Sequence, residues 1–240
     1  MTITNPLAHR NASEDFFAKS KIISYINKIM LVIPIKFQFN IESEVRRVRE
    51  TLDNFKWLTK NNYRFLLPNG IKDSKDIKIE MIRKLVEDEY DLNIYQIAES
   101  AILKSWEGNS GLMRKINQKM NGSYMLDEVT VILTRYGTQG SYMTPNSAII
   151  NISNIPSEFL IKTVIHESLH LMIEHLIKKY SVEHWVKERI VDLIMDFEYK
   201  SRFKMQSAPN WVFITDEIFK GYYPDMNLII EGAAKIFPDK

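Results

Sequence analysis

Apolar residues return at helical spacing over most of this chain and at every second position in only a few short stretches, which predicts a mostly helical α+β protein. After an aperiodic tail over residues 1–12, Phe16, Phe17, Ile22, Ile23, Ile26 and Met30 mark a helix from Ser13 to Met30. Leu31 to Phe39 reads as extended, with Ile33, Ile35, Phe37 and Phe39 alternating against polar neighbours. Asn40 can cap the next helix, whose face is drawn by Val45, Val48, Leu52, Phe55 and Leu58. Two more helices are expected over Ser74 to Glu89 and Ile94 to Lys119, the second interrupted at Gly108 to Gly111. The character then changes. Val129 to Tyr136 and Ser147 to Ile152 are β-type runs, which predicts a hairpin-like pair around a long loop. Past Pro156 come a helix over Phe159 to Lys179 and, after Ser181, another reaching Tyr199. A short strand or turn near Trp211 to Ile214 and one or two short helices complete the chain. The organisation expected is a tail (1–12), a mainly helical N-terminal subdomain (13–120), a core with the strands (121–200) and a C-terminal helical cap (201–240).

Composition narrows the classes of function. With 32 Lys and Arg against 30 Asp and Glu, the formal charge of +2 over 240 residues is too balanced for affinity drawn from nucleic-acid phosphates. The absence of cysteine excludes thiolate nucleophiles, Fe–S clusters and Cys-containing zinc fingers, so any metal must be held by His, Asp or Glu. The longest apolar candidate, Ile22 to Phe39, is broken by Asn27, Lys28, Pro34 and Lys36, so no membrane insertion is expected. No signal-peptide pattern surrounds it, and a cytoplasmic protein is the default reading. The run Arg46, Arg47 and Arg49 reads as the solvated face of its helix, and Trp57, Trp106, Trp185 and Trp211 as core or contact residues.

One constellation carries chemistry. His166, Glu167, Ser168, Leu169 and His170 spell H-E-x-x-H within the strongest predicted helix. Residues four apart on a helix differ by about 40° in angle and about 6 Å along the axis, so both imidazoles lean toward one point, as a metal requires. Apolar residues cover most of this helix and leave only the stripe Thr163, His166, Glu167, His170 and Glu174. Burying those groups without partners costs several kcal/mol, and a divalent cation compensates them directly. Glu167 stands close enough to reach a water on that ion. A third ligand must come from the following helix. Counted back from the turn, Glu183 and His184 are too shallow, Glu188 comes within side-chain reach, and Asp192 sits level with the histidines. Glu188 and Asp192 share a face, so one can bind metal while the other accepts a hydrogen bond from an imidazole. His9, His175 and His184 read as surface or packed histidines.

H-E-x-x-H, a spacer of 17 residues, then Glu188-Arg-Ile-Val-Asp192 resembles the zinc signature of the gluzincin, or thermolysin-like, metallopeptidases. The resemblance spans about Gly140 to Tyr199. It implies a zincin-like core, in which a small sheet packs on an active-site helix and an antiparallel glutamate helix. It also implies Zn2+ on His166, His170 and Glu188, Glu167 as general base, and Asp192 orienting a ligand histidine. A strand ahead of the active-site helix would pair its edge with an extended substrate, and Ala148, Ile150 and Ile152 stand where that strand is expected. The resemblance further implies an oxyanion donor, His or Tyr, after the glutamate ligand. No histidine follows His184, so Tyr199, Tyr222 and Tyr223 are the candidates, with Tyr222 and Tyr223 preferred for their polar setting. The metzincin pattern fails because Ile173 and Leu176 replace its glycine and third histidine, and deformylase-type sites need a cysteine. The expected activity is hydrolysis of a peptide or protein substrate through a water activated by Glu167. The alternative is a catalytically inactive relative that binds peptides or regulates a partner.

Overall fold

The computed structural model describes residues 32–71, 77–153, 156–200 and 208–237. The expected tail and the helix over Ser13 to Met30 lie outside these residues, as does the start of the one expected from Ser74. Strand β1 (Ile35–Gln38) falls in the stretch read as extended and leads into helix α1 (Ile41–Asp53). Asn40 sets that start: its side chain accepts from the Ser43 N–H at 2.8 Å, and Ser43 Oγ accepts from the Asn40 N–H at 3.2 Å. Val45, Val48 and Leu52 are buried along one face, as the period demands. Helix α2 (Phe55–Lys60), strand β2 (Phe65–Leu66), and helices α3 (Ile79–Glu89) and α4 (Leu92–Lys119) follow. The break expected at Gly108 to Gly111 does not occur. Trp106, Ser110 and Met113 bury one continuous face, and Trp106 Nε1 donates to the Ile33 carbonyl at 2.8 Å, which outweighs about 1 kcal/mol per glycine.

Strands β3 (Val129–Thr134), β4 (Gly137–Thr138), β5 (Gly140–Met143) and β6 (Ser147–Asn151) complete two sheets. One has the order β1-β3-β6-β5, and the other pairs β2 with β4. The hairpin expected between the two β-type runs is not formed, because β3 and β6 run parallel. The connection itself contains β5, which pairs antiparallel with β6, so the chain reverses twice and β6 inserts between β3 and β5. Val129, Val131 and Leu133 of β3 and Ala148 and Ile150 of β6 point into the main core.

Helix α5 (Ser157–Tyr180) packs against β5, β6 and α4 and is apolar nearly all round, with Leu160, Val164, Ile165, Leu169, Met172, Ile173 and Leu176 buried. Ser181 closes it in a left-handed conformation at φ 48° rather than capping the next helix. That role falls to Glu183, whose carboxylate accepts from the N–H groups of Trp185 and Val186 at 2.6 and 3.1 Å. Helix α6 (His184–Tyr199) folds back against α5. A 3-10 turn (Asn210–Phe213) stands where a strand or turn was expected, followed by helices α7 (Ile214–Tyr222) and α8 (Met226–Ile236). The protein is thus α+β and mostly helical, with a small mixed sheet. A second, smaller apolar cluster joins α1 to α3 through Val45, Val48, Leu52, Ile82 and Val86. Among the described residues no helix is long and apolar enough to cross a membrane.

Candidate metal centre and its cleft

Helices α5 and α6 bring three side-chain atoms to one point. His166 Nε2 and His170 Nε2 lie 3.0 Å apart, and Glu188 Oε2 lies 3.2 Å from the first and 3.3 Å from the second. A tetrahedral zinc with bonds of about 2.0–2.1 Å separates its ligand atoms by about 3.3 Å, so the triangle fits such an ion on one face and leaves a position open on the other. Among the described residues this is the one His, Asp or Glu group that converges so closely. Two imidazole nitrogens and a carboxylate oxygen are all electron-pair donors, and their shared focus in a buried setting matches a cation.

The electrostatics agree with that donor set. His170 is buried, and burial takes its imidazole down to about 4, so the ring is neutral with a lone pair to offer. Burial pushes the Glu188 carboxyl upward, but the two facing imidazoles outweigh it and hold it well below the usual carboxylate range. Burial opposes protonating His166, while Glu188, Glu167 and Asp192 together draw it the other way. Asp192 sits behind the ring, its Oδ1 3.8 Å from His166 Nδ1. Its carboxylate does not join the three converging atoms. The Nδ1 of His170 is buried with no hydrogen-bond partner, and the ring is instead held by stacking on Tyr142, with centroids 4.9 Å apart and planes 13° from parallel.

Glu167 is 6% exposed, and burial pushes its carboxyl up to about 7. It lies directly under Gly140: a Cβ built on that residue would overlap Glu167 Oε1 and Thr163 Cγ2. Gly140 is therefore the residue that lets β5 approach the helix. Strand β5 runs across the site, with Gly140 at Glu167 and Tyr142 at His170.

The expectation that Ala148, Ile150 and Ile152 form the substrate edge is corrected here. Strand β6 is paired on both sides, Ala148 and Ile150 are fully buried, and Ile152 is 8% exposed. The sheet's edge at the site is β5. Because Asn151 N donates to Gln139 O, antiparallel alternation turns the N–H and C=O of Gly140 and Tyr142 away from β6. The Gly140 carbonyl accepts from Thr138 Oγ1 at 3.1 Å on that outer side.

A cavity of about 710 Å3 opens on the three converging atoms, within the range of ligand-binding clefts. Its far wall is α1, α2 and the following turn, which contribute Arg47, Glu50, Trp57 and Tyr63. Tyr222 and Tyr223 are not brought to it. Tyr222 is half exposed, and the Tyr223 hydroxyl donates to Glu198 Oε1 at 2.6 Å while its ring stacks on Phe219. Tyr199 is buried in the main core. Besides the two converging histidines and Tyr142, whose hydroxyl donates to Glu174 Oε2 at 2.5 Å, the cleft is lined by Tyr63 and His184, which meet through Tyr63 Oη and His184 Nε2. His184 Nδ1 lies 4.0 Å from Glu188 Oε1, as a residue four positions earlier on the same helical face can. His184 is a packed histidine, as expected, against Trp57, Tyr63 and Trp185, and it does not join the converging donors; its place in the cleft lining is the departure from that expectation, and that spacing is the available signal. Trp57 is 48% exposed on the same wall, edge-on to His184, rather than in a core. Arg47 is likewise not on a solvated face but buried against Thr138. His175 is a surface histidine within reach of the Gly122 carbonyl, as expected. Comparison with known proteins finds no family model, no curated relative and no solved structure that matches the chain, so the reading of this centre rests on its own geometry.

Proposed function

We propose that the protein is a zinc-dependent metallopeptidase. The observation that carries this reading is the convergence of His166 Nε2, His170 Nε2 and Glu188 Oε2 within 3.0–3.3 Å, beside the buried carboxylate of Glu167 and beneath a free strand edge. A divalent ion on these three residues would supply Lewis acidity, polarising a carbonyl and making a water acidic near neutral pH. The chain's own groups do the rest. The outward N–H and C=O of Tyr142 would hold an extended peptide backbone along β5. Glu167 would take a proton from the attacking water and deliver it to the leaving nitrogen, a task suited to a carboxyl pushed up to about 7. Tyr63, whose hydroxyl meets His184, would donate a hydrogen bond to the carbonyl oxygen as charge develops on it. A module that only binds peptides would use the same strand edge, but it gives no task to a carboxyl buried beside three metal-type donors.

The test is metal analysis of the purified protein together with mass-spectrometric profiling on a peptide library. About one zinc per chain is expected, with cleavage lost on chelation. Glu167→Gln is expected to retain zinc and lose at least about 100-fold in cleavage rate, the usual scale for a general base. Full cleavage by that variant, or metal content indifferent to His166→Ala, would overturn the proposal.

A further inference from the structure

The cleft holds a cation that the proposed chemistry does not use. Arg47 projects from α1 over the backbone of Gly137, where a Cβ would collide with its guanidinium, and Gly137 adopts a φ of 79°. The side chain is anchored by Nη2 donating to Thr138 Oγ1 at 2.9 Å. Its Nε is buried without a hydrogen-bond partner, and Glu50 approaches Nη1 only to 3.7 Å, longer than a paired fork requires. The residue is 9% exposed yet lines the cavity that opens on Glu167, whose charge it feels. The carboxylates of Glu50, Glu167 and Glu44 all act on this guanidinium, yet none of them reaches its Nε, which keeps one buried donor on offer.

The rest of the charged lining is shared between three cations, Arg64, Lys162 and Lys187, and three carboxylates, Glu50, Glu167 and Glu188, so with Arg47 the cations exceed the carboxylates by one. Lys187 is already paired, its Nζ 3.5 Å from Glu188 Oε1. Arg47 and Arg64 are the guanidinium groups of the cleft, suited to receiving a carboxylate.

Building on the peptidase reading, we propose that the cleft selects acidic substrates. An Asp or Glu within a residue or two of the scissile bond is received by Arg47, and Arg64 at the mouth adds longer-range attraction. Arg47 is thus a specificity-determining residue, positioned by Thr138 and by the close approach of Gly137.

The test uses zinc-loaded full-length protein carrying Glu167→Gln and fluorescent octapeptides of Ala and Ser, each with a single Glu or its isostere Gln at one position in turn. Fluorescence anisotropy is expected to show Kd at least tenfold lower for Glu than for Gln at one position or two adjacent ones. Arg47→Gln, which can still donate to Thr138, is expected to bring that ratio below threefold. Arg64→Glu, an exposed change that serves if the first variant does not fold, is expected to lower it by about half or more. A Glu-to-Gln ratio near one at every position, or a ratio unchanged in the variants that fold, overturns the proposal. If Arg47 served only to steady Glu167, its replacement in the protein that keeps Glu167 would slow hydrolysis of both peptides alike, and the Glu-to-Gln binding ratio would stay intact. The same peptides are offered to the unmodified protein. Hydrolysis without discrimination removes this inference and leaves the peptidase reading, whereas discriminating binding without hydrolysis of any peptide does the reverse.

Discussion

Gly140 shows how a single missing side chain shapes the centre. Its φ is unremarkable, and what it supplies is room, since Glu167 Oε1 and Thr163 Cγ2 occupy the space a methyl group would need. Gly140→Ala is expected to push β5 off α5 and displace the Glu167 carboxylate. Cleavage should fall at least tenfold with zinc retained, and stability should drop by about 1–3 kcal/mol, as measured by peptide turnover, metal analysis and urea unfolding. Glu44 illustrates a buried charge of a different kind. It is fully buried, with Oε1 accepting from Tyr95 Oη at 2.5 Å and Arg135 N at 2.7 Å, while Tyr90 and Arg47 also face it. Burial pushes its carboxyl up to about 7, against the pull of those hydrogen bonds. Because the folded pKa is raised, the folded chain keeps a proton that the unfolded chain releases between about pH 4.5 and 7, so this residue's contribution to stability falls as pH rises through that window. Glu44→Gln is therefore expected to gain on the wild type, by on the order of 1–3 kcal/mol, between pH 5 and pH 8. Urea unfolding at the two pH values checks it, and a pH-independent difference between the chains would count against it.

At the scale of elements, α4 and β5 are where local signals and the structure diverge. The glycines of α4 read as a break, yet Gly108 lies on an exposed helical face with nothing near the position of an added Cβ. Gly108→Ala is expected to stabilise the protein by about 0.5–1 kcal/mol, seen as a higher urea midpoint with an unchanged slope. Strand β5 was hidden for the opposite reason. Gly140, Ser141, Tyr142 and Met143 carry none of the β-branched residues that mark β3 and β6, and they are strand only because β6 supplies the partner. The resemblance puts the substrate edge on β6, the strand whose apolar signature is strong, but that signature reports burial between two neighbours.

For the whole molecule, the candidate metal centre lies between helices that also close the main core, so on the proposed reading an ion should act on global stability. With free zinc at about 100 times its Kd, linkage gives about 2.7 kcal/mol of stabilisation, removed by a chelator. Differential scanning calorimetry should show a chelator-induced fall in Tm that is absent in His166→Ala/His170→Ala. An equal fall in both proteins would place the effect elsewhere. The segment from Ile41 to Arg64, packed through its own small cluster around Val45, Val48 and Leu52, then supplies the far wall of the cleft.

By itself the sequence determined the α+β class, the capped start of α1 at Asn40, the buried helix α5, and the pairing of His166 and His170 opposite the face shared by Glu188 and Asp192. All of these rest on short-range regularities: a helical period, a cap, two residues four apart and a turn between adjacent helices. Only the tertiary structure decided that β3 and β6 are parallel, that β5 is the free edge, and that Arg47, Tyr63 and His184 face the cleft rather than Tyr222 and Tyr223. Those outcomes depend on contacts between residues far apart in the chain, such as Arg47 with Thr138 and Tyr63 with His184, and no local pattern of polarity encodes which distant surface a side chain will meet.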